Sequence, residues 1–132
     1  MNELRTPPGI DIGSGVSIVW LYARAGRYEL PEILRGFDPQ TTAHNTYFDQ
    51  PEEGGPSEIV GLMVRHAKPA EQIHADYPDD WYHGGAVYFV DGANGNNAVW
   101  TIESVDPLTI SPSVLCGCGF HGFIRNGKWE GV

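Results

Sequence analysis

Two cysteines, eight lysines and arginines, and no long apolar run are what this 132-residue sequence is short of. Each scarcity excludes something. Affinity for nucleic acid comes mostly from Lys and Arg on phosphates, and eight basic residues against seventeen acidic ones, a formal charge of −9, do not supply it. No Lys or Arg occurs between Lys68 and Arg125, while Glu71, Asp76, Asp79, Asp80, Asp91, Glu103 and Asp106 all fall there. A nucleic-acid partner is therefore not expected, and the acidity suits a solvated surface or a face that docks on a basic protein. No apolar stretch approaches the roughly 20 residues that a membrane-crossing helix needs, so no membrane partner is expected either. The beginning "MNELRTPPGIDIG" lacks a basic start followed by an apolar region, which argues against a secretory signal. Two cysteines without an export signal are expected to be reduced, and a bond between Cys116 and Cys118 would close a very small, strained ring.

What the chain has in quantity is turn residues, seventeen glycines and ten prolines, with 41% apolar and 19% charged residues. That composition favours short strands over long helices, in one domain spanning 1–132. Residues 1–15 are read as an extended N-terminal segment. "VSIVWLYAR" (16–24) is β-branched, aromatic and continuous, which predicts a buried central strand. A tight turn at Ala25-Gly26 should lead into a second strand near 27–30, and 31–56 is read as a long irregular excursion. "PSEIVGLMVRHAKP" (56–69) fits a strand slightly better than a helix, and "PAEQIHADYP" (69–78) suits one short helix. "AVYFVDG" (86–92) and "AVWTIESV" (98–105) are expected to pair as a hairpin, and 107–116 to add a strand. Asn126-Gly127 is the strongest two-residue hairpin signal in the chain and sets Ile124 near Trp129. The expected fold is mainly β, a small antiparallel sandwich or partly open barrel with one short helix and a long irregular loop.

Few motifs carry chemistry. "GIDIGSG" (9–15) has the look of an ATPase phosphate loop, but that fold needs two lobes and further motifs that 132 residues cannot hold. "DGANGNN" (91–97) fails the spacing of a calcium loop and lacks its closing acid. The five histidines (His44, His66, His74, His83 and His121) form no ordered catalytic signature, so no catalytic set is assigned. Cys116-x-Cys118-x-x-His121 remains. Zinc takes four ligands in tetrahedral array, and the best fourth candidate is His83. If the chain turns tightly through Gly117 and Gly119, the sulfurs and an imidazole converge; if it stays extended, His121 takes the face opposite the sulfurs. The alternatives, with no cofactor, are two reduced thiols packed as small hydrophobes beside a strand histidine, and a redox pair. A separate candidate contact patch is "DYPDDWYHGG", where Tyr77, Trp81 and Tyr82 stand beside Asp79 and Asp80, a set suited to a basic, partly apolar protein partner.

The ending "WTIESVDPLTISPSVLCGCGFHGFIRNGKWEGV" (100–132) resembles small proteins encoded by actinobacterial phages and prophages. In those a Ser-Pro-Ser strand runs into a Cys-rich turn and then His-Gly-φ-Ile-Arg-x-Gly-x-Trp. It is similar, more distantly, to an uncharacterised bacterial and phage β-domain family with an upstream Cys-x-x-Cys knuckle. Trp100, Ser111-Pro112-Ser113, Cys118, His121 and Asn126-Gly127 match the second half of that pattern, over about the last quarter of the chain. The knuckle is missing here, since "AVYFVDGANGNN" has no cysteine. The resemblance implies a phage-encoded protein in the host bacterial cytoplasm, or alternatively in the virion. The expected function is a non-enzymatic accessory protein that binds a host or phage protein, counter-defence included. The alternatives are a virion structural protein, such as a capsid decoration or minor head or tail component, and a zinc-binding domain built on the Cys-x-Cys-x-x-His cluster.

Overall fold

The computed structural model describes residues 6–37, 46–49, 56–69, 71, 81–91 and 99–132. "VSIVWLYAR" forms β2 (Val16–Arg24), with every residue buried except Tyr22 and Arg24. Apolar residues on both of its faces are covered, which is why its sequence shows no alternation. β2 pairs antiparallel with β1 (Ile10–Gly13) and with β4 (Ser57–Ala67), and parallel with β3 (Thr46–Asp49). β5 (Tyr82–Tyr88) lies antiparallel outside β4 and completes a five-stranded sheet.

The 56–69 segment is thus a strand, and its poor alternation has a local cause. Leu21 faces Gly61 while Tyr22 faces Ile59, so Val60 is an extra residue at a bulge. Its carbonyl accepts from Phe89 N–H at 2.9 Å. The N-terminal segment is held to this sheet by two bonds to one acceptor: Ser17 Oγ and Arg65 Nη1 both donate to the Pro8 carbonyl, at 3.2 and 2.9 Å.

The C-terminal third makes two small sheets. β6 (Thr101–Val105) and β7 (Leu108–Ser111) form a hairpin, and β8 (Val114–Leu115), β9 (His121–Arg125) and β10 (Lys128–Gly131) form a sheet in the order β10-β9-β8. The Asn126-Gly127 turn has φ of 53° and 74°, as a type I′ turn requires, and it sets Ile124 directly opposite Trp129. Gly127 N–H donates to the Leu108 carbonyl at 2.8 Å and Asn126 N–H to Thr109 Oγ1 at 3.0 Å, which locks this turn onto β7.

Fully buried Val16, Ile18, Leu62, Val87, Ile110 and Ile124 come from all three sheets and share one core. Each such side chain contributes about 1.5–3 kcal/mol by leaving water. The fold is mainly β, built on antiparallel sheets that form no closed barrel among the described residues.

Three local expectations give way. Among the described residues, strands 86–92 and 98–105 do not pair as a hairpin: β5 is held by β4, β6 finds a nearer partner across Asp106-Pro107, and the bond seen between the two runs is Trp100 N–H to Tyr88 O at 2.8 Å. The chain does turn at Ala25-Gly26, but no strand follows; Pro31 leads into a 3-10 turn at Glu32–Leu34 that buries Leu34. The 107–116 strand is divided at Pro112, which cannot donate to a ladder. Most of the expected 69–78 helix, much of the 31–56 excursion and residues 92–98 lie outside the described residues. Among the described residues no helix is long and apolar enough to cross a membrane.

Candidate metal-ligating site

"CGCGF" (116–120) connects β8 to β9 in a tight reversal. Cys116 N–H donates to the Phe120 carbonyl at 2.7 Å, and Gly119 N–H donates back to the Cys116 carbonyl at 2.9 Å. Gly119 has φ of 97°, a conformation costly for any residue with a Cβ. Of the two geometries open to this stretch, the turned one is found. Both thiols are free and half-buried.

Facing them is a histidine from a remote strand. His66, near the end of β4, is only 5% exposed. Its ring nitrogen, Cys116 Sγ and Cys118 Sγ all lie within 4.8 Å of one another. Two contacts fix the imidazole. It stacks on Phe120, with ring centroids 4.1 Å apart and planes at 14°, and Phe120 stacks in turn on Trp129 at 5.1 Å and 8°. Its Nδ1 lies 2.8 Å from the Ala67 carbonyl. A carbonyl only accepts, so Nδ1 carries the hydrogen and Nε2 presents its lone pair to the sulfurs. A histidine oriented in this way, by donating its other N–H to a carbonyl, is the usual arrangement behind a metal ligand.

The electrostatics agree with that tautomer. Burial lowers the His66 pKa below the ordinary histidine value, the Ala67 carbonyl opposes this, and His83 adds to it, a balance that favours the neutral ring. Burial pushes the Cys116 thiol up, opposed by the backbone N–H of Cys118 and aided to a smaller degree by the Cys118 side chain. Cys118 S–H donates to His66 Nε2 at 3.7 Å.

His83 stands directly across from His66 in the β4–β5 ladder, with ring centroids 5.2 Å apart and planes at 52°. Its Nε2 is sealed from solvent and has no hydrogen-bond partner. A buried nitrogen left unpaired in this way costs about 1–3 kcal/mol.

His121 is placed elsewhere. It lies on the outer face of β9 with Phe123, their rings 6.4 Å apart, and its Nε2 is 2.7 Å from Ser113 Oγ. A hydroxyl beside an imidazole is half of a nucleophile–base arrangement. Among the described residues no carboxylate is hydrogen-bonded to the other ring nitrogen to orient it. The imidazole that meets the sulfurs is therefore that of His66, which spacing along the chain did not select. The available signal was spacing: His66 follows the buried Leu62 and Val64 at intervals of two, on their face of the strand.

The described part of the aromatic patch stands at the start of β5, an edge strand of its sheet. Trp81 and Tyr82 are half-buried and meet edge to face at 5.1 Å and 76°. The Arg65 guanidinium lies 5.6 Å above the Tyr82 ring. Tyr77, Asp79 and Asp80, like His44 and His74, lie outside the described residues. A groove of about 360 Å³ at β1, with Asp11 and Asp106 near Trp20 and Phe37, is lined by none of the cluster's residues. Compared with known proteins, the chain matches no family model, no curated protein and no solved structure.

Proposed function

We propose that this chain is a small protein-binding β-domain in which a zinc ion, held by Cys116, Cys118 and His66, ties the C-terminal sheet to the main one. The single observation that carries the metal reading is the convergence of three donor atoms from segments fifty residues apart, all within 4.8 Å. Zinc with bonds of about 2.3 Å to sulfur and 2.0–2.1 Å to nitrogen sets tetrahedral sulfur and nitrogen ligands ~3.6 Å apart. The His66 Nε2 to Cys118 Sγ distance is 3.7 Å. Thiolates with imidazole are a donor set for zinc and disfavour magnesium or calcium. Elemental analysis of protein purified without a histidine tag tests this. About one zinc per chain, lost in Cys118→Ser, is expected; zinc near zero in protein refolded with excess metal rejects it.

The domain acts by binding rather than turnover, in the host cytoplasm if the C-terminal resemblance to phage proteins reflects origin. A second observation supports a protein partner: a half-buried aromatic pair stands at the start of an edge strand of the sheet, next in sequence to Asp79 and Asp80. Recovery of a basic partner by the wild type and not by a folded Trp81→Ala, Asp80→Lys variant is expected. Equal recovery removes the patch. Stoichiometric presence in purified phage particles would instead place the protein in the virion.

A further inference from the structure

The geometry points to His83 as the fourth ligand, closing the centre as a Cys2His2 site that is structural rather than catalytic. This inference rests on the three-ligand reading and adds one residue to it.

His83 is brought to the site by register, not by chance of folding. Directly opposed residues of an antiparallel pair share one face, with Cβ atoms about 4.5–5.5 Å apart. In this ladder His66 faces His83, Val64 faces Gly85 and Leu62 faces Val87. Leu62, Val64, His66 and Val87 are all buried, so His83 lies on the core face, at the end of the sheet where the Cys-x-Cys turn packs. Two residues along, Gly85 has no side chain, and it lines a cavity of about 60 Å³ with His66, Cys116 and Phe120.

Chemistry gives a second reason. Among the described residues, His83 Nε2 is the buried side-chain nitrogen or oxygen with no partner. His66 Nε2 has Cys118, and His66 Nδ1 has the Ala67 carbonyl, so those atoms are accounted for. An orphaned nitrogen on a ring whose centroid lies 5.2 Å from that of the His66 imidazole, outside the group of three donors but beside one of its members, is within reach of the site by a side-chain rotation. Charge closes as well: two thiolates and two neutral imidazoles around Zn²⁺ sum to zero, which a buried site tolerates without a further counter-ion. Binding releases the two thiol protons to solvent, and the His83 ring turns about its side-chain bonds to bring Nε2 into the fourth position.

The alternative is three protein ligands with water in the fourth position, the arrangement of catalytic zinc. Cobalt(II) separates the two, because its visible absorption reports coordination number and ligand type. The full chain, reduced and metal-free, is titrated with Co²⁺, and Zn²⁺ affinity is then measured by competition against a chelator. The wild type is expected to give the intense absorption of a tetrahedral S2N2 site with thiolate charge-transfer bands. His83→Ala should lose that pattern and bind Zn²⁺ at least ~100-fold more weakly, beyond the 10–100-fold typical of groups behind the ligands. His83→Cys should restore a tetrahedral site with a third thiolate band, and His121→Ala should match the wild type. A His83→Ala variant with wild-type spectrum and affinity overturns His83 as ligand and leaves the three-ligand site standing. A wild type that takes up neither Co²⁺ nor Zn²⁺ overturns both. If His83→Ala fails to fold, a His83→Cys protein lacking the third thiolate band is the overturning result.

Discussion

The imidazole of His66 and the ring of Phe120 lie face to face, 4.1 Å apart and 14° from parallel, although fifty-four positions separate them in sequence. Trp129 extends the stack on the far side of Phe120. One strand of the main sheet, the Cys-x-Cys turn and the last strand of the chain are thereby joined through three rings. The stack sets the plane of the His66 ring, and the Ala67 carbonyl sets which nitrogen faces the sulfurs.

Phe120→Ala should therefore act twice. Full burial would make the loss about 3–5 kcal/mol; Phe120 is half-buried, so about 2 kcal/mol is expected from urea unfolding of the metal-free protein. Zinc affinity should fall as well, because the freed imidazole samples other orientations. Phe120→Leu should recover most of the stability and less of the affinity. Equal recovery of both would show that the aromatic plane is not what orients His66.

Gly122 tests how closely the terminal strands pack. A Cβ there would stand 2.5 Å from Trp129 Cζ2 and 2.6 Å from the Glu130 carbonyl, and neither an indole locked in a stack nor a backbone oxygen moves cheaply. Gly122→Ala should destabilise by about 1–3 kcal/mol. Gly117→Ala, in open space and without a positive φ, should change stability by less than about 0.5 kcal/mol. Thermal unfolding of the two variants side by side checks the contrast.

The β class, the central strand at 16–24 and the Asn126-Gly127 reversal were legible because each depends on local chemistry. Continuous apolar residues specify a strand covered on both faces, and an Asn-Gly pair specifies positive φ at two successive positions. Strand partners were not legible in the same way. "AVYFVDG" and "AVWTIESV" look like a hairpin until β4 competes for the first and a two-residue reversal supplies a partner for the second. The site divides along the same line. The convergence of Cys116 and Cys118 follows from their own turn, where Gly119 takes a φ of 97°. The identity of the imidazole depends on which remote strand packs beneath that turn, and nothing within residues 112–129 encodes His66. His83 was legible as a histidine next to two glycines; that it opposes His66 is a fact of register.

Tyr88 gives the fold a base-sensitive edge. Burial, and to a smaller degree Tyr28, raises its pKa above the usual value of 10.0. The folded protein thus holds the phenol proton more tightly than the unfolded chain does. Stability from this group is complete below about pH 10 and is lost as pH rises from there through the folded-state pKa, where the unfolded chain ionises first. The melting temperature of Tyr88→Phe should fall less steeply than that of the wild type between about pH 9.5 and 11. Parallel curves would remove Tyr88 as the source.

Metal should be visible in stability, because a ligand that binds the folded state alone stabilises it by mass action. Free zinc at about 100 times its dissociation constant adds about 2.7 kcal/mol. For a domain of this size each kcal/mol moves the midpoint by roughly 3–5 °C, so a rise of about 10 °C over the chelated protein is expected. The shift should vanish in Cys118→Ser, which removes a ligand while leaving the Phe120–Trp129 stack in place. It should persist in His121→Ala, whose imidazole is engaged with Ser113 on the outer face of β9. A zinc response that disappears with His121 and survives loss of Cys118 would move the centre away from the turn. In that event the two sulfurs serve packing beneath the aromatic stack, and the convergence with His66 has no part in binding.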